Sequence, residues 1–447
     1  MRAPLSREIA CAAQAVEALA AGRSLQAAVE TALDAAPAPG FDPASRAAIR
    51  DMAYSTCRRL GLVRELARLV NGRPPPPRLA ALQWVALAQL VDPLRADAVV
   101  VDQAVAAARL EPGAAAVAGF LNATLRRFVR ERDALLGQAR RKEEALWNFP
   151  RWWIEQLRTE HPQAWQAILA AGNALPPMTL RVNRRRTGVD DYLALLAAAG
   201  RGARRVGPQA LVLDEPCAVD ALPGWHDGLV TVQDAGAQLA APLLDPQPGE
   251  RVLDACAGPG GKTTHLLELA DCRVTALDVG EARLRPVREN LARLRLGQPG
   301  GPAHPAQILA GDALRADDWW DGRPFDRILV DAPCTASGIV RRHPDIRWLR
   351  RRSDLATLSR QQSEILLALW PLLRPGGRLL FVTCSVFRAE GESVIAHFLA
   401  TARDARRLQL SWRFGADDAE EVSQLLPVSA PARDHDGFFY ALLERHP

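Results

Sequence analysis

The stretch DACAGPGGKTT, residues 254–264, decides how the rest of the chain is read. It closes a strand expected at Arg251–Cys256 and opens a helical pattern over Gly261–Ala270. Glycines at a strand-to-helix turn let a ligand approach the backbone, and the helix N-terminus offers free N–H groups. A nucleoside triphosphate, a dinucleotide or S-adenosylmethionine could use such a turn. The P-loop spacing fails, because its first glycine would fall on Cys256. The dinucleotide fingerprint is weakened, because Thr263 stands where its third glycine belongs.

Working outward, strands and helices alternate. Strands are expected at Arg251–Cys256, Arg273–Asp278, Ala306–Ala310, Asp326–Asp331, Gly377–Thr383 and finally Gly437–Leu443. Helices are expected at Gly261–Ala270, Glu281–Leu296 and Ser353–Leu373. This rhythm predicts a doubly wound, mostly parallel sheet. Asp278 ends the second strand, where a carboxylate can accept hydrogen bonds from ribose hydroxyls. Asp312 follows the third strand, within reach of an adenine amino group. Each acid alone reads as a helix cap. On three successive strands, turn and acids favour a nucleoside cofactor.

Upstream, Met178–Asn183 and Gln209–Asp214 read as short strands around a helix at Asp190–Ala199, a small α+β unit rich in arginine. Before it, apolar residues at i, i+3 and i+4 predict helices at Ile9–Ala20, Leu25–Leu33, Ser45–Val70, Leu79–Leu90, Ala98–Ala108 and Ala115–Phe128. Pro and Gly separate them at Ala36–Pro43 and Arg73–Pro77. Four parts result: an all-α domain at 1–135, a helical linker at 136–175, the α+β unit at 176–240 and a catalytic domain at 241–447.

The net charge is +5, from 56 basic and 51 acidic residues, too mild to identify a partner. Lysine occurs only at Lys142 and Lys262, so a lysine in the glycine turn stands out among arginines. No apolar run approaches the ~20 residues that span a bilayer, and no export signal is read. Seven cysteines without C-x-x-C spacing argue against disulfides and structural zinc, and fit a reducing cytoplasm. No metal is expected.

Two of those cysteines end neighbouring strands, in Asp331-Ala-Pro-Cys334 and Thr383-Cys384-Ser385. Ligands in open α/β sheets bind beyond the carboxyl ends of strands. A lone cysteine usually reads as a small buried hydrophobe, but a matched pair suits covalent methylation of carbon 5 of cytosine. A thiolate adding to carbon 6 makes carbon 5 nucleophilic, and a second thiol assists release. A carboxyl at Asp331 would hold the cytosine N3 and amino edge.

At these residues the chain resembles the Sun family of RNA cytosine-carbon-5 methyltransferases, most closely the RsmB type. The resemblance rests on DACAGPGGKTTHLLE (254–268), LDVGEARL (277–284), GDA (311–313), VDAPCTASGIVRRHPDIRW (330–348), PGGRLLFVTCS (375–385) and DGFFYALL (436–443). PPMTLRVN (176–183) and VQDAGAQ (232–238) are similar to the family's RNA-recognition unit and its entry to the catalytic domain. YSTCRRL (54–60), VVVDQAVAAAR (99–109) and GFLNATLRRF (119–128) are similar to a NusB-type domain. The family usually has Ala-Pro where this chain has Gly258-Pro259, and Pro where it has Arg388.

The resemblance implies a class I S-adenosylmethionine-dependent methyltransferase domain, Rossmann-like, preceded by a NusB-like domain and a small RNA-binding unit. It implies that Cys256, Ala257, Gly258, Pro259, Gly260, Gly261 and Lys262, with Asp278, Asp312 and Asp331, hold S-adenosylmethionine. Cys384 would be the nucleophile and Cys334 the residue that assists release. The substrate would be one cytosine of 16S ribosomal RNA, unassembled or partly assembled, met by a cytoplasmic monomer. RNA contacts are expected from Arg181 and Asn183, and from Arg341, Arg342, His343 and Trp348, where arginines for phosphate stand beside aromatics for stacking. Methylation of another RNA, such as transfer RNA, and a non-catalytic assembly factor of the same fold remain the alternatives.

Overall fold

The computed structural model of the chain describes residues 2–36, 40–110, 114–296, 306–412, 420–430 and 433–446. Its residues group into two packed units, Met1–Asn173 with Val340–Arg351, and Ala174–Ile339 with Arg352–Pro447.

In the first unit, the i, i+3, i+4 apolar pattern forms helices Leu5–Ala20, Leu25–Asp34, Pro43–Arg58, Leu60–Val70, Pro77–Val91, Asp97–Ala108 and Ala114–Arg130. Pro43 and Pro77 open their helices, where a missing N–H costs nothing. Asp42 accepts the Ser45 N–H at 2.8 Å as an N-cap. The proline-rich break at Ala36–Pro43 lies partly outside the described residues. The single helix expected over Ser45–Val70 is two, because Arg59 leaves helical geometry (φ −105°, ψ 14°). Gly61, next in line, sits where a Cβ would lie 2.1 Å from the Glu144 carbonyl oxygen, so the second helix packs tightly on Glu143–Trp147. Ile9, Val16, Leu25, Ile49, Leu66, Leu87, Leu121 and Phe128 form the core.

Val340–Arg351 was expected within the catalytic domain but packs in this helical unit. Asp345 accepts the Leu25 N–H at 2.9 Å and so caps the second helix from far along the chain. Arg347 is fully buried. It donates to the Asn173 side chain at 2.5 Å and the Gly172 carbonyl at 2.6 Å, and lies over the Phe149 ring at 3.9 Å. Burial pulls its guanidinium down to about 9.

The second unit holds two sheets. The smaller contains β1 (Thr179–Val182), β2 (Ala203–Arg205), β3 (Ala210–Leu213) and β4 (Val230–Val232), in the antiparallel order β2-β3-β1-β4. Tyr192 and Leu196 of helix Val189–Ala198 pack with Leu180, Val182, Leu211 and Val230 in its core. The larger contains β5 (Arg251–Ala255), β6 (Arg273–Asp278), β7 (Gln307–Ala310), β8 (Phe325–Asp331), β9 (Leu373–Thr383) and β10 (Ala405–Leu408). Short strands β11 (Ser411–Trp412), β12 (Glu420–Glu421), β13 (Gln424–Leu425), β14 (Val428–Ala430) and β15 (Arg433–His435) lead to β16 (Phe438–Arg445). The order is β10-β16-β9-β8-β5-β6-β7. Strands β5 to β9 run parallel, β16 pairs antiparallel with β9, and β10 pairs antiparallel with β16 and so runs with the parallel set. Alternation along β9 sends Leu379 and Phe381 to one face, and Leu380 and Val382 to the other.

Register positions the site. Ala255 pairs with Leu277 and Val330, Asp278 with Ala310, and Asp331 with Val382. The carboxyl ends of five strands therefore finish along one edge, as a ligand-binding α/β sheet requires.

Candidate active site

The glycine turn emerges at this edge. Gly260 has φ 98°, and a Cβ there would lie 2.9 Å from the Val287 backbone. The Asp278 carboxylate accepts the Gly258 N–H at 2.9 Å and pairs with Arg283 at 2.8 Å. A Cβ at position 258 would lie 2.9 Å from both that carboxylate and Arg283. This crowding explains glycine where the resemblance expects alanine. Gly311 is similarly closed, with Leu277 and Trp319 each 3.0 Å from a would-be Cβ. Asp312 is exposed, and its side chain accepts the Leu314 N–H. The donor set suits an adenosyl group: backbone N–H groups at a helix start, one acid at the end of β6 and another after β7. Cys256 takes φ 64°, and burial pushes its thiol up to about 12.

Behind the turn, Thr263 donates to the buried Asp254 carboxyl at 2.5 Å. Burial raises that carboxyl to about 7. A carboxyl raised on folding binds its proton more tightly in the folded chain. Its contribution to stability is therefore present at low pH and is lost as pH climbs from the ordinary ~4 to about 7. Asp254→Asn should flatten this slope. The urea midpoint of the wild type should fall more between pH 5 and pH 8 than that of the variant. Parallel slopes would mean that Asp254 titrates alike folded and unfolded.

The two strand-end thiols meet. Cys334 Sγ lies 3.4 Å from Cys384 Sγ. Cys334 is buried and Cys384 half-buried. The Cys334 thiol is raised well above its ordinary value, first by its hydrogen bond to Cys384, then by burial and by the charge on Cys384. These surroundings favour the protonated form of Cys334. Lys262 Nζ donates to Asp331 at 2.6 Å. Burial opposes the Lys262 charge, but Asp331 and Cys384 outweigh it and the ammonium is favoured. Lys262 also lies 6.0 Å from the Phe438 ring centroid. Thiol pair, ammonium and carboxylate form one cluster.

Three expected RNA contacts lie inside the fold. Arg181 is fully buried, forked onto Glu268 at 2.7 and 3.0 Å and bonded to the Gly261 carbonyl at 2.6 Å. Asn183 is fully buried and donates to the Gly228 carbonyl. Arg341 is buried in the helical unit. Their polar groups are committed to the interior, so the expectation is corrected for these three. Trp348 is half-buried and donates to the Cys57 carbonyl at 3.0 Å. Arg342 and His343 are partly exposed. The exposed cations of the small unit include Arg184, Arg186 and Arg205 instead.

Glu390 was not singled out from sequence. It is buried and bridges the residues that follow both cysteines, Thr335 and Ser385. Arg388, the departure from the family pattern, is exposed on the same turn and leaves this bridge intact.

Residues 241–444 match the family "16S rRNA methyltransferase RsmB/F", residues 149–220 the ferredoxin-like domain of RsmF/B-like methyltransferases, and residues 6–130 the NusB family. Ribosomal RNA small subunit methyltransferase B of Pseudomonas syringae pv. tomato is 41% identical over 445 residues, covering 97% of this chain and 95% of that one. The chain belongs to the RsmB/F family. The protein of the same name from Vibrio cholerae is 38% identical over 410 residues, 90% of each chain. The crystal structure of PH0851 superposes with a TM-score of 0.77 at 24% identity, covering 100% of both chains, which shows the shared fold. A methyltransferase homologue from Pyrococcus horikoshii gives a TM-score of 0.55 at 26% identity over 68% of this chain and 97% of that one. RsmB/F membership makes the chain an S-adenosylmethionine-dependent ribosomal RNA methyltransferase with a NusB-type helical domain and a Rossmann-like catalytic sheet. Among the described residues no helix is long and apolar enough to cross a membrane.

Proposed function

We propose that the chain methylates carbon 5 of one cytosine in small-subunit ribosomal RNA, through a transient bond between Cys384 and carbon 6. The observation that carries this reading is the 3.4 Å approach of Cys334 and Cys384 beside the Lys262–Asp331 pair. The turn Cys256–Lys262, with Asp278 and Asp312, would hold S-adenosylmethionine, which supplies the methyl group in electrophilic form.

The thiols work in sequence. Cys384 Sγ adds to carbon 6 as thiolate, the electron pair of the 5,6 double bond moves to carbon 5, and carbon 5 would bond to the methyl carbon as that carbon's bond to the sulfonium sulfur breaks, the sulfur leaving as a neutral thioether. Asp331 accepts from the cytosine amino edge while Lys262 holds the carboxylate in place. Once Cys384 is bonded to carbon, it no longer carries the charge or accepts the hydrogen bond that held the proton on Cys334. Cys334 then loses that proton to water and becomes the base. It takes the proton from the methylated carbon 5 as the carbon 6–sulfur bond breaks, and Cys384 departs as thiolate. Cys334 thus ends the cycle carrying a proton, as it began.

The division into parts at 1–135, 136–175, 176–240 and 241–447, with Val340–Arg351 taken out of the last and packed with the helices, belongs to this proposal, with a cytoplasmic monomer acting on unassembled or partly assembled subunit RNA. Bisulfite sequencing of 16S ribosomal RNA tests it. A strain lacking the gene should lose protection at one cytosine and regain it from a plasmid copy. An unchanged pattern overturns the carbon-5 assignment.

A further inference from the structure

The covalent route requires two sulfurs on separate strands to keep a working distance while one of them is pulled into a bond. Each thiol sits in a short turn just past its strand. We propose that Glu390 is the positioning residue that holds the Cys334 turn against the Cys384 turn, and that its loss leaves the enzyme able to form its RNA adduct but slow to release it. This inference rests on the covalent reading above.

The Glu390 carboxylate is fully buried and spans both turns. On the Cys334 side it accepts the Thr335 N–H at 2.7 Å and the Thr335 hydroxyl at 2.5 Å. On the Cys384 side it accepts the Ser385 hydroxyl at 2.7 Å. Gln362 donates to it at 3.4 Å and to the Pro333 carbonyl at 2.8 Å, on the other side of Cys334. One carboxylate thus gathers donors from residues adjoining both sulfurs. A buried carboxylate is retained only where such bonds repay its desolvation.

The two turns do not depend on it equally. The Cys384 turn has anchors of its own. Gln424 donates to the Ser385 carbonyl at 3.2 Å, the Phe387 N–H donates to the Ser385 hydroxyl at 3.1 Å, and Thr383 pairs with Phe439 of β16. The Cys334 turn gives Glu390 both donors of Thr335, and contains Ala336 at φ 60°, a conformation that neighbours must hold in place. Loss of the carboxylate should therefore displace Cys334 more than Cys384, and disturb release more than attack.

The test uses full-length enzyme, unmodified 16S ribosomal RNA transcribed in vitro and methyl-labelled S-adenosylmethionine. Glu390→Gln should lower steady-state turnover about tenfold or more while single-turnover methyl transfer stays within about threefold. Denaturing gels should show an RNA-linked protein band like that of Cys334→Ala. Thr335→Val, which deletes one of the bonds and keeps the shape, should show the same band more weakly should Glu390→Gln fail to fold. Equal losses in both rates without a band would overturn the inference and make Glu390 a scaffold residue. A band with Cys334→Ala but with neither of these variants would sink this inference alone. No band with any of them would sink the covalent reading beneath it.

Discussion

Cys384→Ser should reduce methyl transfer by about three orders of magnitude or more, roughly 4 kcal/mol or more of transition-state stabilisation, while leaving S-adenosylmethionine affinity within about twofold. The substitution changes one atom at the end of β9. The local frame should survive, because the Thr383–Phe439 pairing and the bond from the Gly338 N–H to the Cys384 carbonyl are made by backbone. The lost element is a polarizable anion. A thiol ionises near neutral pH and is intrinsically nucleophilic, whereas a serine hydroxyl needs a general base to attack a ring carbon. The neighbouring groups offer none, since the Asp331 carboxylate is engaged by Lys262 at 2.6 Å. The surroundings of Cys334 favour its protonated form, and Lys262 is held as an ammonium. Binding measured by calorimetry and transfer measured with labelled cofactor separate the two effects. Turnover within tenfold of wild type would remove Cys384 from the nucleophile's place.

The strand-end thiols were legible because β-strands announce themselves. The apolar runs Ile328–Val330 and Leu379–Val382 are buried on both faces, so where they stop is readable to within a residue, and parallel register aligns the stops. The edge strand β10 was not read, because Ala405-Arg-Arg-Leu carries the charge that protects a sheet edge rather than an apolar signal. Glu390 shows a different limit. An acid in Arg388-Ala-Glu-Gly-Glu392 looks solvated in one dimension, and only the fold carries it beneath both cysteine turns. Val340–Arg351 was assigned to the catalytic domain by sequence adjacency. Its buried side chains, Asp345 and Arg347, find their partners instead among residues of the helical unit, Leu25, Gly172 and Asn173. Composition hides such cases, because in a chain with 54 arginines among its 56 basic residues and two lysines, a buried guanidinium looks like any other.

Arg181 is the sharpest instance, and its role separates two outcomes cleanly. As an RNA contact, its loss would weaken RNA binding and spare the fold. Its observed place in β1 predicts the reverse. The side chain has no exposure and forks onto Glu268 of helix Gly261–Leu269. It also donates to Thr264 at 2.9 Å and to the carbonyl of Gly261, the first residue of the helix that closes the cofactor turn. Removing one member of a buried ion pair strands the other charge, at a cost of about 3–5 kcal/mol. Burial pushes the Glu268 carboxyl up and Arg181 is the strongest of the cations opposing it, so loss of the guanidinium leaves the burial of Glu268 largely uncompensated. Arg181→Ala should therefore lower the thermal midpoint by several degrees or more and weaken S-adenosylmethionine binding, since the Gly261 carbonyl loses its anchor. Adding Glu268→Gln should recover part of the stability but not the cofactor affinity, because the neutral side chain relieves the stranded charge without restoring the bond to Gly261. The decisive comparison is non-additivity in a double-mutant cycle read by urea denaturation. Additive losses, or an intact midpoint with weakened RNA binding alone, would return Arg181 to the RNA-facing role that its sequence context suggested.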